Sequence, residues 1–444
     1  MTYAALLILM LLILFVSLTL SRGDAVAPTV IVSAAFSLAV LCALLGVGDW
    51  NHVNMSSGNA LIIFMAVRSF AMTSWVVRAN PTCDIESGAH ASAWWARLAD
   101  SKIAMWKIVL LCAYVAVTYA LYWREIVNVN AFYGLEVTSM SDALGDYRSL
   151  TPMFSGEELE EDVSGIVLQM RKICDAIFIV SAFGLINGVV CGKGVSKRLL
   201  VVVALCAGGS LLTTGRSKLM AYVVAAVILW IFLRQRFRGK FGVKQYLRLG
   251  IAVGGAMVLF YGLLTVVGRQ TSMSLLTYIT SYLGYGIPSF DLMMSDLGHF
   301  GFTGIDIFAG IAKPFSILGI VDAVAPDPQC WVRFSSGASN IYTAVKDYYC
   351  VGGIFGVISI EIFFSMAFSF LYTRACRDSS PVWLMVYAMY GYVLVDQIRA
   401  ETFFKNIVTI NIVIYVIAIV LVALFLFGGK ERTQCAQKGD VAKG

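Results

Sequence analysis

Three arginines stand beside the ends of long apolar runs: Arg216 in the stretch from Leu211 to Lys218, Arg269 just after Gly268, and Arg399 between Asp396 and Glu401. A guanidinium presents its donors in a planar fork that matches phosphate oxygens two at a time. A single cation in such a place commonly anchors a helix end, with its stem in lipid and its head at the interface. Lys218 is read that way. Three arginines that can converge, with hydroxyls and carboxylates nearby, have the makings of a pyrophosphate site.

The elements that must position them are membrane spans. Of 444 residues, 59% are hydrophobic and only 14% are charged, more apolar surface than a soluble globular domain of this length can cover. Eleven apolar runs of spanning length lie at about 3–21, 26–48, 60–77, 103–123, 173–192, 198–214, 218–233, 249–267, 348–372, 381–397 and 406–427. The expected fold is therefore all-α: one polytopic transmembrane helix bundle over 1–444. The first run lacks the basic flank and small-residue cleavage site of a signal peptide. Lysine and arginine gather in alternate connections, most densely from Arg234 through Arg236, Arg238, Lys240 and Lys244 to Arg248. By the positive-inside rule the N-terminus is outside and the C-terminus inside. That orientation explains the net charge of +6 without any nucleic-acid partner. The ten cysteines form no CxxC pair and read as small buried hydrophobes. His52, His90 and His299 are too scattered to form a metal site.

Both long connections, 124–172 and 268–347, then face the outer side, so the elaboration lies on one face only. The first ends in an acidic stretch from Ser155 to Asp162. Val163, Ile166, Val167 and Met170 follow at helical spacing, the pattern of a helix along the membrane surface. Its acids lack the spacing of a calcium loop and read as a solvated face. The second mixes aromatics with Asn, Asp, Ser and Gly, from Tyr282 through Tyr285 to Asp291 and again from Ser335 through Asn340 and Tyr342 to Thr343. Stacking faces beside hydrogen-bonding groups are what sugar binding needs, and long loops in compact proteins tend to be functional. Within the spans, Arg68, Glu361 and Asp396 are costly in lipid and should face the bundle interior. Arg68 and Glu361 could form a structural bridge.

With these residues in view, the chain resembles the O-antigen, or oligosaccharide repeat-unit, polymerases of the Wzy type. The resemblance covers the span pattern and roughly residues 205–410. It rests on Thr214-Gly-Arg216-Ser, Arg269, the segment Tyr285 to Asp291, Asn340-Ile-Tyr342-Thr343 and Gly353-Ile-Phe-Gly356. Members often follow Asn-x-Tyr-Thr with Asp-Phe-Gly-x-x-Gly. Here the first two of those positions are Val351 and Gly352, and Asp347 stands one helical turn earlier.

The resemblance implies a GT-C-like membrane enzyme of the bacterial inner membrane with its active site facing the periplasm. It would be an inverting glycosyltransferase needing no metal or other cofactor, and its two periplasmic loops would carry short helices. Its substrate would be undecaprenyl-pyrophosphate-linked oligosaccharide, and a flippase and a chain-length regulator would be its partners beside the bilayer. The leaving pyrophosphate gains charge in the transition state, which pre-placed arginines stabilise. On that reading Arg216, Arg269 and Arg399 hold pyrophosphate, and Asp291, Asp347 or Glu401 is the general base, with His299 an outside candidate. Tyr285, Asn340 and Tyr342 hold glycan or headgroup.

An O-antigen ligase shares the architecture and the donor, but the surroundings of His299 do not match a ligase-like histidine. A flippase or other transporter should show internal repeats and mid-membrane binding groups, and neither is evident. Replacing Arg216 by Ala is expected to abolish long-chain polymer while the protein still inserts. Normal chain-length ladders from that variant, at normal protein level, would remove Arg216 from the reaction.

Overall fold

The computed structural model describes residues 3–50, 54–77, 103–153, 163–213, 217–239, 243–262, 273–295, 302–322, 324, 327, 331–335, 337–377 and 380–428. Among the described residues every one of the eleven apolar runs contains helix. In chain order these helices are α1 (Tyr3–Leu20), α2 (Pro28–Trp50), α3 (Ser57–Val77), α4 (Met105–Phe132), and, after α5 (Met140–Met153), α6 (Gly165–Val190) and α7 (Lys197–Ser210). They continue as α8 (Ser217–Arg238) and α9 (Val243–Gly262). Among the described residues seven are long and apolar enough to cross a membrane: α1, α2, α3, α4, α6, α8 and the later Ala344–Arg377. Three prolines or serines mark helix starts by ordinary capping chemistry. Pro28 opens α2, Ser164 Oγ accepts the Val167 N–H of α6, and Ser380 Oγ accepts the Val382 N–H next to Pro381.

The 273–343 insertion folds as α10 (Leu275–Gly284), α11 (Gly286–Ser295), a 3-10 turn (Ile305–Phe308) and α12 (Ala309–Ile317). A two-stranded antiparallel hairpin follows, Val332–Phe334 against Gly337–Ser339. The chain then enters α13 (Ala344–Arg377), α14 (Pro381–Tyr390), α15 (Tyr392–Asp396), α16 (Phe403–Asn406) and α17 (Asn411–Phe427). The short hairpin is the one piece of sheet among the described residues. In the first long connection, residues 165–170 run straight into α6 instead of forming a separate surface helix. Val163 and Val167 are buried there against Tyr122, Ile126 and Leu144. The acidic stretch Ser155 to Asp162 lies outside the described residues.

The core is formed by helices laid side by side, α1 on α2, α3 on α13, and α6 between α7, α8 and α17. Along the α3–α13 seam Phe70 meets Phe364 edge-on at 5.3 Å. Beside them Ser365 Oγ donates to the Phe70 carbonyl at 2.7 Å, and Ser369 Oγ donates to Ser74 Oγ at 2.9 Å. Small hydroxyl residues let backbones approach and tie helices together where no water competes. Arg68 lies off this seam on the exposed side of α3, and Glu361 is buried against Gln397, whose Nε2 donates to it at 3.3 Å. The expected Arg68–Glu361 bridge is therefore not formed. Six cysteines (42, 112, 174, 191, 206 and 350) are free, but Cys376 is disulfide-bonded, against the expectation for all ten.

At one end of the bundle, basic side chains cap helix carbonyls. Lys107 donates to the Phe425 carbonyl at the end of α17, and Arg238 to the Val190 carbonyl at the end of α6, at 2.9 and 3.2 Å. These groups satisfy orphan carbonyls and oppose the negative end of the helix dipole. The opposite end carries the insertion. There α13 is broken: Gly352 and Gly353 leave helical geometry, Gly353 at φ 58°, which separates a polar head at 344–351 from the apolar remainder.

The insertion is seated on that head through Gly304. Its φ is 69°, and a Cβ there would come within 2.8 Å of the Asp347 carbonyl oxygen and 2.9 Å of the Val351 nitrogen. Backbone atoms cannot yield as a flexible side chain can. Gly304→Ala is expected to cost about 1–3 kcal/mol, read as a lowered thermal midpoint of the purified protein. An unchanged midpoint would show that the contact is not required.

Candidate functional site

At the insertion-bearing end, two segments far apart in the chain are joined by backbone. The Ala344 N–H donates to the Gln397 carbonyl at 2.8 Å, fixing the head of α13 beside the loop that follows α15. Near that bond Asp347 and Glu401 lie in one buried cluster, close enough for the Asp347 carboxylate to raise Glu401's cost of ionising. Lys346 Nζ pairs with Asp347 Oδ1 at 2.9 Å, and Lys405 Nζ pairs with Asp306 Oδ2 at 2.8 Å. Lys405 also lies within electrostatic reach of Asp347 and Glu401. It forms the solvent edge of the cluster, with its side chain 40% exposed.

Glu401 accepts the Phe404 N–H at 2.8 Å and the Lys405 N–H at 3.3 Å, so it caps the short helix α16. Burial nevertheless pushes its carboxyl from the ordinary 4.5 up to about 7; the Phe404 N–H works in the opposite direction. A carboxyl poised there can exchange a proton near neutral pH.

Asp306, Asp327 and Asp347 bring carboxylate oxygens within 4.8 Å of one another, a set that could hold a cation. Their present partners argue for an ion-pair network instead. Asp327 accepts from Thr303 Oγ1 at 2.8 Å, from the Thr303 N–H at 3.1 Å and from the Gly304 N–H at 2.9 Å. The other two carboxylates are paired with lysines, as above.

The remaining expected residues fall in different places. Arg399 is half-buried, pairs with Asp396 Oδ1 at 3.0 Å, and lies 4.0 Å from the Tyr282 ring centroid. Its Nε is buried without a hydrogen-bond partner. Tyr342 is buried beside Phe302, with Lys346 Nζ 5.4 Å from its ring, so it borders the carboxylate cluster. Asn340 is exposed just before it. Tyr285 stacks on Phe334 at 4.7 Å and touches Trp50, which makes it part of the insertion's aromatic core. Asp291 accepts the Ser56 N–H at 3.1 Å and Asn59 Nδ2 at 2.7 Å, holding the first turn of α3. Arg216, Arg269 and His299 lie outside the described residues.

Sequence reasoning missed a second centre in the same polar layer. Asp175 of α6 is buried, and its carboxylate receives Lys218 Nζ at 2.6 Å, Tyr222 OH at 2.5 Å and Tyr415 OH at 2.8 Å. Lys218 is thus an ion-pair partner as well as the head of α8. A signal was available: Asp175 is an acid inside an apolar run, three residues after Lys172. Tyr392 lies within electrostatic reach of both Asp175 and Glu401, so the two centres are neighbours. No match to this chain is found among protein-family models, curated proteins or solved structures.

Because the folded state raises the Glu401 carboxyl, it binds that proton more tightly than the unfolded chain does. The stability so gained is full below about pH 4.5 and is lost as pH rises through about 7. The wild type should lose up to about 3 kcal/mol relative to Glu401→Gln between about pH 5 and pH 8. Thermal unfolding of both proteins across that range measures it. Parallel curves would mean Glu401 ionises normally.

Proposed function

We propose that this chain is an oligosaccharide repeat-unit polymerase of the Wzy type. On this reading it is a GT-C-like enzyme crossing the bacterial inner membrane eleven times, N-terminus out and C-terminus in, with its active site facing the periplasm. It transfers a growing glycan from undecaprenyl pyrophosphate to a new lipid-linked repeat unit. The observation that carries the reading is the convergence of Glu401 and Asp347 in one cluster at the insertion-bearing end. Each is one of the alternative residues expected as base, and Arg399 lies two residues before Glu401 in the same short loop.

The chemistry follows from those groups. A carboxylate takes the proton of the acceptor hydroxyl as its oxygen bonds to the donor's anomeric carbon, and the carbon–oxygen bond to pyrophosphate breaks from the opposite face. Inversion follows from that single displacement. The charge released on the pyrophosphate is met by Arg399 and, from their place in the sequence, Arg216 and Arg269. Among the three carboxylates, Glu401 and Asp347 are favoured over Asp291, which is engaged at the start of α3. An acceptor approaching from solvent meets Lys405 first and the carboxylates behind it.

Purified protein supplied with lipid-linked repeat units tests this. The polymerisation rate should fall about tenfold per pH unit below about pH 7. Glu401→Gln should remove that limb together with at least about 99% of the rate, and Arg399→Ala should lower the rate without moving the limb. Polymerisation by Glu401→Gln with the wild-type pH profile would exclude Glu401 as the base.

A further inference from the structure

We propose that the cavity beside Asp175 is a binding site for a singly charged oxyanion, of the kind carried by a phosphodiester headgroup or by the carboxylate of an acidic sugar. The cavity has a volume of about 150 Å³ and lies where the same ends of α6, α8, α14–α15 and α17 meet. That is room for more than one water molecule, whose share of liquid volume is about 30 Å³.

Its wall carries more donors than acceptors. Three of the roughly four acceptor positions of Asp175 are filled by Lys218, Tyr222 and Tyr415, so it serves mainly as a fixed counter-charge. Lys172 donates to Asn411 Oδ1 and sits close enough to Lys218 to feel its charge. Each ammonium has three N–H groups, which leaves donors on both after those bonds. The hydroxyl of Tyr390, a residue only 2% exposed, lines the same space and has no hydrogen-bond partner. A buried hydroxyl left unpaired is costly, and its natural complement here is an acceptor brought by a ligand.

Charge sets the class. Two lysines and one aspartate leave the wall with one uncompensated positive charge, in surroundings that screen it poorly. A monoanion neutralises it, a neutral sugar does not, and a dianion would leave a negative charge buried. Apolar atoms of Phe178 and Ala225 complete the lining and give a hydrocarbon or sugar-ring neighbour to the anion somewhere to pack. The inference concerns residues outside the carboxylate cluster and holds whether or not the chain is a polymerase.

The test uses full-length protein. Isothermal titration with methyl glucuronide, and with methyl glucoside as the neutral control, examines the carboxylate source. Native mass spectrometry from nanodiscs of phosphatidylglycerol against phosphatidylcholine examines the phosphodiester source. At least one anionic probe should bind saturably and better than its neutral or zwitterionic counterpart, and which one binds identifies the source. Tyr390→Phe and Lys172→Gln should each weaken that binding about tenfold. Tyr390→Phe removes a group with no partner, so its thermal midpoint without ligand should be unchanged or higher. The proposal is overturned if neither anion binds saturably, if methyl glucoside or phosphatidylcholine binds equally well, or if both variants bind as the wild type does.

Discussion

In an apolar surrounding a charge is held only by another group of the protein, because no water is present to solvate it. Among the described residues that rule gathers most charged side chains at the two ends of the bundle, with Glu361, in the middle of α13, held by Gln397. At one end lysine and arginine cap the carbonyls that close α6 and α17. At the other, Asp175 meets Lys218, Asp347 meets Lys346, Asp306 meets Lys405 and Asp396 meets Arg399. A buried pair of this kind contributes little net stability, since desolvating both charges offsets their attraction. What it does achieve is placement. Asp175–Lys218 joins α6 to α8 and Asp306–Lys405 joins the insertion to α16, while the other two pairs fix local turns.

The two centres in the insertion-bearing layer divide the labour that a lipid-linked substrate would demand. One holds protonatable carboxylates under the insertion, with a lysine at the solvent edge. The other is a cavity with spare donors among four helix ends. Tyr392 lies within electrostatic reach of both, so the two centres are neighbours. The first centre sits on the broken start of α13. The Gly352–Gly353 break interrupts the helix after residues 344–351, and Ala344 bonds to the loop that leads to Glu401.

Much of this was legible in the sequence, and the physics says which parts. Apolar runs long enough to span must become helices, and every run contains helix among the described residues, although several of the helices are shorter or more polar than a membrane crossing usually requires. Asp347 and Glu401 could be picked out because each is an acid at the end of such a run. The Asp306–Lys405 pair could not, since no period relates residues 306 and 405; the close seat of Gly304 on the head of α13 and the Ala344–Gln397 bond bring their segments together. Asp291 shows the opposite case. Its residue type and position matched the others, and only the fold reveals that its carboxylate holds the start of α3. Arg68 and Glu361 were matched by charge alone, but Glu361 turned inward to Gln397 and Arg68 outward.

The central claim is that this chain lengthens a lipid-linked glycan. The most direct measurement is the banding of surface polysaccharide after deletion of the gene in the bacterium that carries it. The account predicts glycan capped at a single repeat unit, with the ladder restored by the wild-type chain. An intact ladder would contradict it, as would loss of all glycan from lipid A, the signature of a ligase, or repeat units trapped facing the cytoplasm, the signature of a flippase.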